Sequence, residues 1–240
     1  MLFVYLLDTV SGVVHYRGSH ALNDKEAMEL PMSCTQFDNV VAYSFWNDMA
    51  ESKHTQLVVL ELFESSEPNV RTDSPSSSSF SSCRAHVESI AFTLPRPVTS
   101  LGFTRTLASI STRSLLVGFA GHQFMEISRR ILDTRRPIKA SNEDKEEGLV
   151  QYQPHIPIIP SNVLTYDKHI FGIDNIESVP SNLESTCITL THGIDIFSTR
   201  VSPSQAFDVL DRDFSYSGVI ATVVALMVAI FWIKRLVRLI

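Results

Sequence analysis

The chain has 240 residues, 20 Lys and Arg against 26 Asp and Glu, a formal net charge of −6, and 44% hydrophobic residues. That much apolar material excludes a wholly disordered chain, and the acidic balance excludes a generally basic nucleic-acid binder. Three widely spaced cysteines, Cys34, Cys83 and Cys187, exclude a disulfide-dense miniprotein and offer no zinc-like spacing.

The chain opens on a period of two. Val4–Tyr16 is an apolar run, a turn holding Asp8 and Gly12, and a second apolar run, which predicts a hairpin. VVAYSFW (Val40–Trp46) and QLVVLELFE (Gln56–Glu64) are rich in β-branched and aromatic residues and predict two further strands, so that hairpins fill residues 1–71. Residues 72–86 read as a Ser-rich loop. Within it, Thr72–Ser82 has seven Ser in the nine residues from Ser74, too little apolar surface to offset the entropy of ordering. A β-rich region over 87–201 follows. VTSLGFTR (Val98–Arg105) alternates, and SLLVGF (Ser114–Phe119), a turn at Ala120–His122 and QFMEIS (Gln123–Ser128) predict a hairpin with one helical turn after it, Arg129–Asp133. The segment 137–160 holds four Pro and the charged run Ser141–Gly148, and is expected to be irregular loop. STCITLT (Ser185–Thr191), a turn at His192–Gly193 and IDIFSTR (Ile194–Arg200) predict the last hairpin. Roughly ten short strands with no long amphipathic helix between them predict a mainly β fold, either a sandwich or propeller blades. Ser202, Pro203 and Gln205 spell an S-x-x-Q capping box with Pro at the first helical position, which predicts a short capped helix over 202–213.

Phe214 to Ile233 is a run of twenty uncharged residues. As a helix it would be about 30 Å long, the thickness of a bilayer core, and Trp232 would sit in the aromatic belt. It is read as one C-terminal transmembrane helix. Lys234, Arg235 and Arg238 follow it directly, whereas Asp208, Asp211 and Asp213 precede it. The positive-inside rule then puts the tail 234–240 in the cytosol and the bulk of the chain on the other side. Met1–Leu7 has no basic start and Asp8 ends its apolar run, so no signal peptide is read. That suggests a truncated chain, or else insertion of the last helix as a tail anchor with the β region in the cytosol.

The blocks STRSLLVGF (Ser111–Phe119), SRRILDTRRP (Ser128–Pro137) and NLESTCITLTHGIDIFSTRVSPSQAFDVL (Asn182–Leu210), followed by the apolar helix and KRL, resemble the C-terminal part of subunit 1 of the endoplasmic reticulum membrane protein complex. YSFWN (Tyr43–Asn47) and VVLELFE (Val58–Glu64) fit the same pattern. The resemblance implies partial β-propeller blades in the lumen, one C-terminal membrane anchor with a cytosolic end, and a non-catalytic scaffold without a cofactor. It implies partners among the other subunits, the lipid bilayer and client membrane proteins whose helices the complex inserts. Family members are several times longer, so a C-terminal fragment or an incomplete gene is expected here.

No catalytic or metal-ligating set is legible. The eight His form no HxxxH or HExxH pair, and no GxSxG or phosphate-loop pattern occurs. A single-pass propeller receptor or cargo-binding protein is the alternative, and a membrane-bound quinone-dependent dehydrogenase a weaker one. Two features stand out. Arg129, Arg130, Arg135 and Arg136 make a candidate basic patch, for acidic headgroups or an acidic neighbour, or a solvated loop paired with Glu126 and Asp133, or a stitch between blades. Ser217, Ala221, Ala225 and Ala229 recur every four residues in the apolar helix and make a candidate packing face for another membrane helix. No N-x-[ST] sequon occurs.

Overall fold

The structure is a computed structural model that describes residues 1–22, 32–47, 54–64, 85–166, 168–205, 207–208 and 215–237. It divides into two units, Met1–Gln205 and Ala206–Ile240. The first is mainly β, as the sequence predicts. Its described residues form four antiparallel sheets, each built from strands consecutive in sequence. Sheet one is the hairpin β1 (Leu2–Leu7) and β2 (Val14–His20). Sheet two is β3 (Ser33–Phe37), β4 (Val40–Asn47), β5 (His54–Phe63) and β6 (His86–Leu94). Sheet three is β7 (Val98–Phe103), β8 (Ser114–Phe119) and β9 (Phe124–Ser128). Sheet four is β10 (Ile173–Pro180), β11 (Cys187–Gly193) and β12 (Ile196–Val201).

The alternation of side chains decides how these sheets stack. In β4 and β5, Ala42, Leu57 and Val59 point to one face, and Tyr43, Phe45, Val58 and Leu60 to the other. Both faces of sheet two are therefore apolar, and both are covered. The first set packs on Leu101, Leu115, Val117 and Met125 of sheet three. The second receives Leu2, Val4 and Tyr16 of sheet one. Sheet three repeats the arrangement, with Leu116 and Phe124 turned toward Ile173 and Ile176 of sheet four. Such serial face-to-face stacking of small antiparallel meanders is how propeller blades bury their faces.

Close approach between sheets three and four depends on two glycines. A Cβ on Gly118 would lie 2.7 Å from Ile173 Cγ2, and one on Gly102 would lie 3.0 Å from Ile176 Cγ2. Irregular chain covers exposed edges. Thr93 of β6 donates its N–H to the Pro154 carbonyl at 2.7 Å and accepts from the Ile156 N–H at 3.0 Å, so the Pro-rich segment lies along the outer edge of sheet two.

Three local expectations need correction. Residues 142–146 within the charged run form a helix, α2 (Asn142–Glu146), after the single-turn helix α1 (Arg129–Leu132). Ser141 and Asp144 cap α2 reciprocally, a box with Asp in place of the usual Glu. The final hairpin turns two residues later than read, with β11 running on to Gly193 and β12 starting at Ile196. The capped helix from Pro203 is absent from the described residues. Gln205 donates its N–H to the Ser202 carbonyl at 3.3 Å, closing a β-turn with Pro203 at its second position, and Gln205 then takes φ +63°, which stops a helix. Most of the Ser-rich loop, residues 206 and 209–213 of the expected capped helix, Phe214 and the tail 238–240 lie outside the described residues.

Among the described residues of the second unit there is one helix, α3 (Tyr216–Val237). Ser215 caps it by accepting the Gly218 N–H at 3.2 Å. Lys234 and Arg235 occupy its last turn, where cations favour the helix dipole. Over Tyr216–Arg235 it is long and apolar enough to cross a membrane, and none of it is buried.

Candidate functional site

The four arginines do not form one exposed basic patch. The donors of Arg129 and Arg136 are drawn inward by acceptors that the sequence does not reveal. Arg129, at the start of α1, makes an ion pair with Glu61 of β5, tying sheet three to sheet two. Glu61 is 6% exposed and also accepts from Asn39 Nδ2 at 3.3 Å and Thr134 Oγ1 at 3.2 Å. Arg136 is 8% exposed, and its guanidinium donates to three backbone carbonyls, Ile131, Val150 and Gln151, while lying over the Phe92 ring. A planar fork with five donors suits this clamp, and a Lys would leave carbonyls unserved. Arg135 pairs with Asp133 at 3.0 Å, as one of the local readings expected. Arg130 is exposed and reaches the Gly148 carbonyl at 3.3 Å. Arg129 thus joins sheets two and three, Arg136 ties residues 131–151 together over Phe92 of sheet two, and Arg135 and Arg130 make contacts near their own segment.

A second joint links the turn between β3 and β4 to sheet three. Arg113 is buried, pairs with Asp38 at 3.3 Å, and stacks on Phe37 with its guanidinium carbon 3.0 Å from the ring centroid. Asp38 takes φ +50° there, a conformation that Asp tolerates better than most residues.

The third joint is a carboxylate that sequence reading passed over. Glu184, in the turn between β10 and β11, reaches across to the β7–β8 loop. It accepts the Ala108 N–H at 2.6 Å, the Ile110 N–H at 2.8 Å, the Ser111 N–H at 3.3 Å and the Thr106 hydroxyl at 2.8 Å. Its own carbonyl accepts from Ser111 Oγ at 2.8 Å. These donors, led by the Ala108 N–H, hold the carboxyl down at about 2. Glu184 belongs to the LESTC run, yet its partners lie 73 to 78 positions away, which no local pattern reports.

On α3, Ser217, Ala221, Ala225 and Ala229 fall along one side, as a spacing of four dictates. Among the described residues, no group of three or more His, Cys, Asp or Glu stands close enough to hold a metal ion.

Stacked four-, three- and three-stranded meanders fit the blades of a β-propeller, here in a chain that also has a helix long and apolar enough to cross a membrane. A family model described as "ER membrane protein complex subunit 1, second beta-propeller" matches residues 1–204. The chain belongs to the family of subunit 1 of the ER membrane protein complex. It is 31% identical to that subunit from Schizosaccharomyces pombe over 242 aligned positions, covering 99% of this chain and 27% of the relative. Identity with the Xenopus laevis subunit is also 31%, over 98% of this chain and 23% of the relative. With the Saccharomyces cerevisiae subunit it is 27%, over 95% and 31%. The chain thus spans about a quarter of the length of these relatives.

Proposed function

We propose that this chain is a non-catalytic scaffold element of an ER membrane protein complex, supporting insertion of client transmembrane helices. In this reading its β region is luminal and the end of α3 is cytosolic. The observation that carries it is the union, in a chain matched over 98 to 99% of its length, of a stack of sheets joined by structural ion pairs with a single apolar helix. Glu61, Arg129, Arg136 and Glu184 all spend their charge on cross-links inside the fold, as a rigid spacer requires. In α3, the face Ser217, Ala221, Ala225 and Ala229 would seat the helix of another subunit.

The test is made on the chain in its natural membranes. After solubilisation in mild detergent it should co-purify with a stoichiometric multi-subunit complex, and its depletion should lower client insertion. An N-glycosylation sequon introduced near Ser202 should be modified, and one appended after Ile240 should not. Recovery of the chain alone would favour the receptor alternative, and the reverse glycosylation pattern would overturn the orientation.

A further inference from the structure

The hairpin of sheet one sits on sheet two across a layer that is apolar except for one chain of polar groups. Leu2, Val4 and Tyr16 pack with Tyr43, Phe45, Val58 and Leu60. Beside them His20, the last residue of β2, sets its Nε2 2.9 Å from the Tyr43 hydroxyl and its ring centroid 4.5 Å from that of Phe45. Tyr43 and Phe45 are both buried. The Tyr16 hydroxyl bonds that of Tyr43 as well. A two-stranded hairpin has little stability of its own, so its place in the fold depends on this layer.

We propose that His20 is an acid-sensitive latch, closed while its ring is neutral and released when the ring takes up a proton, so that the sheet-one hairpin lifts off Tyr43, Phe45, Val58 and Leu60. In the neutral ring Nε2 accepts from the Tyr43 hydroxyl, whose oxygen accepts from Tyr16. Protonation turns Nε2 into a donor, reverses that chain and places a charge between two sheets. Among the described residues, no carboxylate faces it from the strands of sheet two. The register puts Cys34, Tyr43 and His54 on the face that meets the hairpin, and β6 adds Val87, Ser89, Ala91 and Thr93 there. Glu61 and Glu88, paired with each other, belong to the opposite face, and Glu64 follows β5 at the end remote from His54. On the hairpin, Arg17 lies over the Tyr5 ring on the outer side, and Asp8 and His15 stand toward the turn. The Met1 amino group is one residue from Leu2, the register partner of His20. Neighbouring rings offset only part of the cost of burying an unpaired charge. Burial accordingly pushes the imidazole below its ordinary value of 6.5. The open hairpin then binds a proton more tightly than the closed one. Stability fully present above about pH 6.5 is lost as pH falls through the lowered value. The latch lies wholly within the first unit and is independent of α3.

The experiment follows amide exchange of the full chain in mild detergent at about pH 7.5 and about pH 5.5, corrected for the intrinsic pH dependence of exchange. Protection of peptides from β1, β2 and β4 should fall about fivefold or more on acidification, while that of sheet four changes less than about twofold. His20→Gln keeps an acceptor for Tyr43 but takes up no proton in this range, and should abolish the fall. His15→Gln and His54→Gln should leave it intact. Exchange of the imidazole C2 hydrogen in the parent reads the titration of His20 without any substitution, and its midpoint should lie below 6.5 and coincide with the loss of amide protection. No acid response in the parent, an unchanged response in His20→Gln, a response abolished by His15→Gln or His54→Gln, or a His20 midpoint at or above 6.5 would each overturn the proposal.

Discussion

Glu184 illustrates how one side chain fixes a loop that has no regular structure. Its folded-state carboxyl lies at about 2, against an ordinary value of 4.5. A depressed carboxyl pKa contributes stability that is fully present above the unfolded value and is lost as pH falls through the folded one. The latch should therefore hold at neutral pH and weaken between about pH 4.5 and 2. In Glu184→Ala, the Ala108, Ile110 and Ser111 amides lose their acceptor, and their hydrogen exchange at pH 7 should quicken at least tenfold, with strand amides of sheets two and three unchanged. Uniform loss of protection would show that Glu184 supports the whole fold. Unchanged loop exchange would show that the carboxylate is dispensable.

Gly193 is constrained by space rather than by charge. A Cβ there would lie 1.3 Å from the Gly172 carbonyl oxygen, a backbone atom that cannot swing away. Gly193→Ala should cost about 3 kcal/mol or more, and Gly118→Ala, which meets side-chain atoms at 2.7 Å, about 1–2 kcal/mol. Thermal melting of the full chain should rank them in that order. Equal melting temperatures would mean that the β10–β11 end opens at little cost.

At the scale of elements, the strands read correctly from sequence are those with an apolar face to show. VVAYSFW and QLVVLELFE became β4 and β5, and the runs of sheet three matched β7 to β9. The strands not foreseen, β3, β6 and β10, are all edges of their sheets. Edge strands tolerate polar residues and Pro, so SCTQF and IDNIESVP carry little alternation to detect. The arginine cluster was visible as a cluster, but its partners were not, because Glu61 lies 68 positions from Arg129 and the three acceptors of Arg136 are backbone carbonyls. Side-chain types report donors well and backbone acceptors not at all.

The apolar helix was legible almost whole, since length and lack of charge suffice. Its packing face is a finer matter. Without a hydrophobic force between helices in lipid, association depends on close approach over small residues and is worth about 0.6–2 kcal/mol for a polar contact. Ala225→Leu should therefore weaken co-purification with the complex several-fold, while Val224→Leu, one position round the helix, should not. Both changes keep the span apolar, so insertion should be equal. Parent-like recovery of both variants would reduce α3 to an anchor without a specific face.

For the molecule as a whole, the stack of sheets has two outward faces that differ from its interior ones. Sheets two and three are covered on both sides. The outward face of sheet one exposes Phe3, Tyr5, Leu7 and Val14, with Arg17 over the Tyr5 ring. The outward face of sheet four exposes Val179, Ile188 and Ile196 among polar neighbours. An apolar sheet face in water favours association with whatever similar surface it meets. Residues 1–205 produced without α3 should therefore elute as a soluble oligomer or aggregate rather than as a monomer. Because sheet one presents the more apolar of the two faces, the combined changes Phe3→Thr, Tyr5→Thr and Leu7→Thr should shift the elution toward monomer. The same three substitutions on Leu2, Val4 and Leu6, which alternate with them toward the interior, should instead lower the yield of folded material, because Leu2 and Val4 pack on Tyr43, Phe45 and Leu60. Light scattering coupled to size exclusion separates these outcomes. A monodisperse, cooperatively melting parent fragment would show that the stack is self-sufficient and that its outward faces need no cover.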